Sequence, residues 1–365
     1  MAIEALDNTS KVREPVDRGE GFRQTGDVLT LSRIRRIQLS GRPRFQRVLA
    51  SSLMLPNYNL PPRVRIRFEG FENVPDRPVI FAMNHTDRYN YWPFQTHLWR
   101  KHDRYTCTWV KGKYFQNPLV GKLLEWANNI PAVSRGYLLS RDFVNVMGRP
   151  PKTVEYQKLR EMIEAVATAR ATGEAQKEVD GSLVPEVIFT RPRDLLGRDF
   201  DPTREDYATA IVELFNSMMG TFTDLNADAR ELGLDTLIFP QGTRSVHLSK
   251  GHGGISQIAL KQRRTVIPVG CNGSNKIYTS SSPIASKGGD IVYRFGEPIT
   301  YDEMERFHIE EDFQPFTPKA EFAHNQTFQD YVDVVMERIN ELLDPEYQFA
   351  VDEESDGVEG TARFV

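Results

Sequence analysis

His85 stands at the end of an apolar run, Val79-Ile80-Phe81-Ala82-Met83, within the tetrad Asn84-His85-Thr86-Asp87. An imidazole beside amide, hydroxyl and carboxylate groups can act as a general base near neutral pH. The run before it reads as a buried central strand, and the carboxyl end of such a strand is where an α/β sheet offers its edge to ligands. Taken alone, the histidine is better read as a hydrogen-bonded structural residue at a strand end. A second segment changes that weighing: Pro240-Gln241-Gly242-Thr243-Arg244-Ser245 also follows a buried-type strand, Leu237-Ile238-Phe239. Glycine lets the backbone approach a ligand closely, and an arginine at such a turn suits a phosphate or carboxylate. Arg135, after Ile130-Pro131-Ala132-Val133-Ser134, is a third cation at the end of an extended piece. It is placed for the same task or for a surface salt bridge.

The elements that must position these groups are legible in the hydrophobic pattern. Val64, Ile66 and Phe68 alternate with Arg65, Arg67 and Glu69, the period of a strand with one wet face. Residues 119–127 read as a helix. Between about 140 and 203 proline, glycine and charge become frequent, and Tyr156, Leu159, Ile163 and Val166 mark one amphipathic helix. Val187-Ile188-Phe189 reads as a short strand. Thr203, with Asp206 three residues on, reads as the cap of a helix whose inward stripe is Tyr207, Ile211, Leu214, Phe215 and Met218. A separate short helix is expected to end at Leu232-Gly233. Strands follow at 235–239, 265–270 and 290–299, and a helix through Phe328, Tyr331, Val335 and Ile339 closes the pattern. Strands alternating with helices predict an α/β fold: a single mixed, mostly parallel sheet flanked by helices, with a helical insertion and an N-terminal amphipathic segment.

Among the 365 residues, 46 Lys+Arg stand against 50 Asp+Glu, a formal charge of −4, and 39% are hydrophobic. That is too apolar for a disordered chain, and it leaves no cationic excess for nucleic acid. Cys107 and Cys271 lack the spacing of a zinc site or redox pair, so no metal site, no cofactor and a reducing compartment are expected. The polar N-terminus is no secretory signal, and no run approaches the roughly 18 apolar residues of a spanning helix; the cytoplasm is the expected location. The chain divides into a disordered leader (1–27), a basic amphipathic segment (28–59), an α/β domain (60–348) with its insertion at about 140–203, and an acidic tail (349–365). Residues 28–55 contain Arg33, Arg35, Arg36, Arg42, Arg44 and Arg47 with no acidic residue, interleaved with Ile34, Ile37, Phe45, Val48 and Leu49. Either this segment meets a membrane surface, with arginines on anionic headgroups, or its apolar side packs on the core and the arginines are solvated.

In order and wording, several of these pieces resemble the glycerolipid acyltransferases of the 1-acylglycerol-3-phosphate acyltransferase type. VIFAMNHTDRYNYW looks like the family's first block and WANNIPAVSRG like its second. LIFPQGTRS followed by SKGHGG looks like the third, and TVIPVGCNGS like the fourth, with VRIRFEGFENVP and VYRFGEPI as flanking strands. The likeness covers roughly residues 60–140 and 220–300 and rests on several blocks occurring in order. It implies transfer of a fatty acyl group from acyl-CoA or acyl carrier protein to a lysophospholipid or glycerolipid-type hydroxyl, in a cytoplasmic protein that is peripheral on a membrane. His85 would be the general base, and Arg135, Gln241, Gly242, Thr243 and Arg244 would hold the acceptor's phosphate or polar head.

Two positions depart from the family pattern. The aspartate expected five residues beyond His85 is Asn90, and the glutamate of the third block is Gln241. The catalytic set is therefore His85 with Asn90, or with Asp87 as a stand-in carboxylate. In a serine-protease triad the corresponding Asp-to-Asn exchange costs ~10⁴ in rate, largely through the wrong histidine tautomer. The departures open two further readings, a lipid-binding member without turnover and an acyl-thioester hydrolase. The insertion is expected to be a lid or acceptor-side wall, or else decoration of the rim.

Overall fold

The computed structural model describes residues 29–280 and 282–349. The leader at 1–27 and all but the first residue of the expected tail lie outside the described residues. Seven strands build the main sheet: β1 (Val64–Glu69), β2 (Ile80–Met83), β3 (Thr106–Lys111), β4 (Asn129–Ala132), β7 (Asp235–Ile238), β8 (Val266–Asn272) and β9 (Gly289–Phe295). The remaining two, β5 (Arg193–Asp194) and β6 (Asp199–Phe200), form a small antiparallel hairpin. The order across the main sheet is β1-β9-β8-β2-β7-β3-β4. β8, β2, β7, β3 and β4 are parallel, and β9 turns antiparallel to β8 while pairing in parallel with β1. The expected α/β class and mixed, mostly parallel sheet are borne out.

The apolar run at β2 follows from burial on both faces. Ile80 and Ala82 belong to one hydrophobic core, and Phe81 and Met83 point into another on the opposite side. Helices supply both layers. They are α1 (Leu31–Ile34), α2 (Arg44–Leu49), α3 (Leu55–Asn59), α4 (Tyr91–His102), α5 (Pro118–Trp126), α6 (Arg135–Met147), α7 (Thr153–Thr172), α8 (Val187–Thr190), α9 (Tyr207–Glu231), α10 (Gly254–Lys261), α11 (Ser274–Ile277) and α12 (Pro318–Glu341). Local chemistry fixes their starts. Asn117 accepts from the backbone N–H of Leu119 and Val120 at the head of α5, and Ser134 from Tyr137 at the head of α6.

Three expectations are corrected, and one strand is added. Val187-Ile188-Phe189 is the short helix α8, because three apolar residues cannot distinguish a strand from one buried helical turn. Asp206, not Thr203, caps α9, its side chain accepting from Thr209 N; the hydroxyl of Thr203 instead donates to Asp201. The separate short helix before Gly233 does not exist, since α9 runs unbroken to Glu231. β3 was not read as a strand because its buried residues include Thr106 and Thr108, whose hydroxyls are met by the Gln95 amide at 2.6 and 3.0 Å.

The basic N-terminal segment divides in two. Leu31, Ile34 and Ile37 are buried in the core, and Arg33 reaches Glu125 at 2.9 Å and the Phe115 carbonyl at 2.6 Å. The packed alternative therefore holds for α1. Around α2, Arg44, Arg47 and Val48 stay exposed. The 140–203 region thickens one helical layer: α7 packs against α9 and α12, and Arg193 ties the β5–β6 hairpin to Asp142 of α6 at 2.7 Å. Among the described residues, no hydrogen bond or ion pair joins this region to His85, Asn90 or Arg244.

Candidate active site

Ala82 of β2 pairs with Ile238 of β7, so the segments carrying His85 and Gln241 leave the sheet side by side at its carboxyl edge. They are then stitched together. His85 N donates to Gln241 Oε1 at 3.0 Å, and Ser245 N donates to the His85 carbonyl at 2.9 Å. The imidazole stacks on Phe239, with ring centroids 4.1 Å apart and planes 22° from parallel. Gly242 closes the second loop with φ at +65°, where a Cβ would press within 3.1 Å of the His252 ring. Beyond it Thr243 is half-buried and Arg244 exposed.

Asn90 occupies the cap position of α4, yet its side chain makes no cap hydrogen bond. It faces His85 instead, with Oδ1 3.0 Å from Nδ1, while its Nδ2 donates to the Asn84 carbonyl at 2.9 Å. Asp87 serves the entry to the helix: Oδ1 accepts from Tyr89 N at 2.8 Å and Oδ2 from the Thr86 hydroxyl at 3.0 Å. Burial raises the Asp87 carboxyl above its ordinary value. Of the two residues expected to partner the histidine, Asn90 is the one in contact. Asn84 anchors the loop, accepting from Cys271 N at 2.7 Å and donating to its carbonyl at 3.0 Å.

The His85 ring is only half-buried by area, but dense packing strips away enough water to push its pKa down to about 3. The Arg244 and Lys111 cations lower it further, against the opposing hydrogen bond with Asn90. The imidazole is thus neutral at ordinary pH. Nε2 has no hydrogen-bond partner among the described residues and is the nitrogen left to take a proton.

The expected acceptor-binding residues do not form one group. Gln241 is 1% exposed and braces the two loops, its Nε2 donating to Ser249 Oγ at 3.1 Å, so it presents no group to a ligand. Arg135 begins α6 after β4, two strands beyond β7 at the same edge, where it pairs with Glu321 of α12 at 2.7 Å and lies over the Phe215 ring. Among the described residues no hydrogen bond or ion pair joins it to His85. Gly242, Thr243 and Arg244 do adjoin the histidine. Sequence reasoning missed Phe239 as the surface under the imidazole and Lys111 as a nearby cation. The signal for Lys111 was its place at the end of β3, hidden because that strand was not recognised.

A mostly parallel α/β sheet presenting a neutral, amide-oriented histidine beside a Gly-Thr-Arg turn defines the class of site. The acyltransferase family model matches residues 65–170, from β1 to near the end of α7. The match includes His85, Asn90 and Arg135 and stops before the Gln241–Arg244 turn. The resemblance read from the sequence is borne out over this stretch. The chain is also similar to the solved 1-acyl-sn-glycerophosphate acyltransferase of Thermotoga maritima, at 15% identity and a TM-score of 0.34, over 86% of this chain and 79% of that one. No curated protein matches the chain.

Proposed function

We propose that this protein is an O-acyltransferase that moves a fatty acyl group from a thioester donor, acyl-CoA or acyl carrier protein, to the hydroxyl of a lysophospholipid or glycerolipid-type acceptor. The observation that carries the reading is the joining of the His85 loop to the Gly242-Thr243-Arg244 turn by two hydrogen bonds. His85 Nε2 takes the acceptor's hydroxyl proton as its oxygen forms a bond to the thioester carbonyl carbon. The C–S bond then breaks, and the leaving thiolate recovers the proton from the imidazolium. Arg244, exposed beside the ring, suits the acceptor's phosphate as a point of charge and a planar donor. No acyl-enzyme intermediate is needed.

Incubation with labelled acyl-CoA and a panel of lyso-lipids tests this. Acylated lipid that disappears on His85→Ala supports it, and product formation unaffected by that substitution places the base elsewhere. A binding protein without turnover is the second reading, favoured by the two amides at Asn90 and Gln241 where carboxylates were expected. It predicts ligand binding with no product, and free fatty acid alone would identify a hydrolase.

A peripheral association with the cytoplasmic face of a membrane belongs to the same proposal. Its support lies in α2 and α5 rather than α1. Leu119 is 71% exposed, Trp126 53% and Val48 62%, with exposed Arg44, Arg47 and Lys122 among them. Phe45 packs on Trp126, so the two helices share one surface. Among the described residues no helix is long and apolar enough to cross a membrane.

A further inference from the structure

We propose that two uncharged amides cradle His85: Asn90 holds the ring in the Nδ1–H tautomer, with Nε2 as the bare nitrogen, and Gln241 holds the backbone of its loop. This rests on the reading of His85 as the base and names what orients it. An asparagine can turn either its oxygen or its NH2 toward an imidazole, and the two choices select opposite tautomers. Here a third group makes the choice. Asn84's carbonyl can only accept, and it lies 2.9 Å from Asn90 Nδ2, so the amide oxygen must face the ring. At 3.0 Å from that oxygen, Nδ1 must carry the proton. The Asn90 backbone is held as well, its carbonyl accepting from Tyr293 Oη at 2.5 Å.

Gln241 completes the cradle from the other loop. Its Oε1 accepts from His85 N and its Nε2 donates to Ser249 Oγ, so this amide too uses both ends. The charged and titratable groups around the ring are Arg244 after β7, Lys111 at the end of β3, and Asp87 in the same loop, with Tyr91 of α4 packed on Phe239 behind it. None of these is a carboxylate hydrogen-bonded to the imidazole. The penalty expected of an asparagine here, a wrong tautomer, therefore does not arise. What is missing is the negative charge that would stabilise the imidazolium as it forms.

The cradle also explains why a carboxylate does not fit simply at position 90. An aspartate would set its second oxygen against the Asn84 carbonyl, two acceptors with no proton between them.

The test is ¹⁵N NMR of the full chain labelled at histidine, with His85 assigned by loss of its signals in His85→Gln. The wild-type protein is expected to show a proton-bearing Nδ1 and a bare Nε2, unchanged between about pH 5 and about pH 8. Asn90→Leu is expected to release the ring into a mixture of tautomers. Asn90→Asp is expected to bring protonation of the ring into the observable range and to add an acidic limb to the pH profile of kcat. An Nε2–H tautomer in the wild-type protein, or a ring already protonated near neutrality, overturns the proposal without needing any variant to fold. The spectrum is read without substrate, so absence of acyl transfer with the Nδ1–H signature intact would count against the proposed function alone.

Discussion

The side-chain oxygen of Gln241 lies 3.0 Å from the backbone nitrogen of His85. The loop after β2 and the turn after β7 thus share a hydrogen bond supplied by a position expected to bind substrate. Because Gln241 is buried and its NH2 is taken by Ser249, its role is to hold two loops at a fixed separation.

Removing that brace should show in stability before it shows in binding. Gln241→Ala strands a buried backbone N–H at His85, which typically costs about 1–3 kcal/mol. Urea unfolding should register the loss, with any turnover falling as the histidine loses its place. Gln241→Glu keeps an acceptor for His85 N and can accept from the Ser249 hydroxyl, but it buries a charge and loses the Nε2 donation to the His247 carbonyl at 3.5 Å, so it should recover only part of the loss. If alanine is tolerated as well as glutamate, the brace is not holding the loops.

Stability should also depend on pH through His85. The ring has an ordinary value of 6.5 and a value of about 3 when folded. Between these, the unfolded chain binds a proton that the folded chain refuses, so stability rises with pH across the window. Acidification from 6.5 toward 3 should then remove on the order of 1 kcal/mol per pH unit from this group. Asp87, raised by burial, acts in the opposite direction at the lower end, so the comparison to make is wild type against His85→Gln. Thermal unfolding measured across this range should slope less steeply in the variant, and equal slopes would mean that the folded ring titrates normally.

Much of the sheet was visible in the sequence because most of its central strands are buried on both faces and read as unbroken apolar runs. β3 escaped because its buried hydroxyls are satisfied by Gln95, a partner that no local pattern announces. The site was legible as pieces: His85 and Thr243-Arg244 both follow apolar runs, and sheet topology then brings them together. Which carboxamide or carboxylate meets the ring was not legible. Asp87 and Asn90 both lie close in sequence, and the choice depends on the turn that gives Asp87 to the Tyr89 backbone and leaves Asn90 free. The buried side of α1 was equally hidden, since an amphipathic stripe does not state what covers it.

Two arginines read alike in the sequence should behave differently. Arg135 is tied to Glu321 and packed on Phe215, whereas Arg244 is exposed beside the imidazole. Arg244→Ala should raise the KM for an anionic acceptor about tenfold, the scale of one charge-assisted hydrogen bond, and weaken the dependence of KM on salt. Arg135→Met should lower the melting temperature while leaving that KM within about twofold. Steady-state kinetics with a phosphate-bearing acceptor, run beside thermal melts, separates the two; a reversed pattern would return Arg135 to the acceptor site and remove Arg244 from it.

The exposed apolar residues of α2 and α5 give the membrane proposal a surface to test. Leu119, Lys122 and Trp126 follow one another at spacings of three and four residues and share a helix face. α5 starts just after the carboxyl end of β3 and ends just before the amino end of β4, so that face runs along the side of the sheet from one edge to the other. A bilayer against it would meet Leu119 at one end of the helix and Trp126, with Phe45 of α2 against it, at the other. Tryptophan suits the headgroup region, and Arg44, Arg47 and Lys122 suit anionic lipid, each cation near the surface contributing roughly 1 kcal/mol. In flotation with vesicles containing anionic phospholipid, Arg44→Glu combined with Arg47→Glu should abolish association, and Trp126→Ala combined with Val48→Ser should weaken it. These side chains are largely exposed, Trp126 meeting Phe45 and the Lys122 ammonium, so the fold should tolerate both pairs, and circular dichroism can verify that. Flotation equal to wild type in both variants would remove this surface from any role at a membrane.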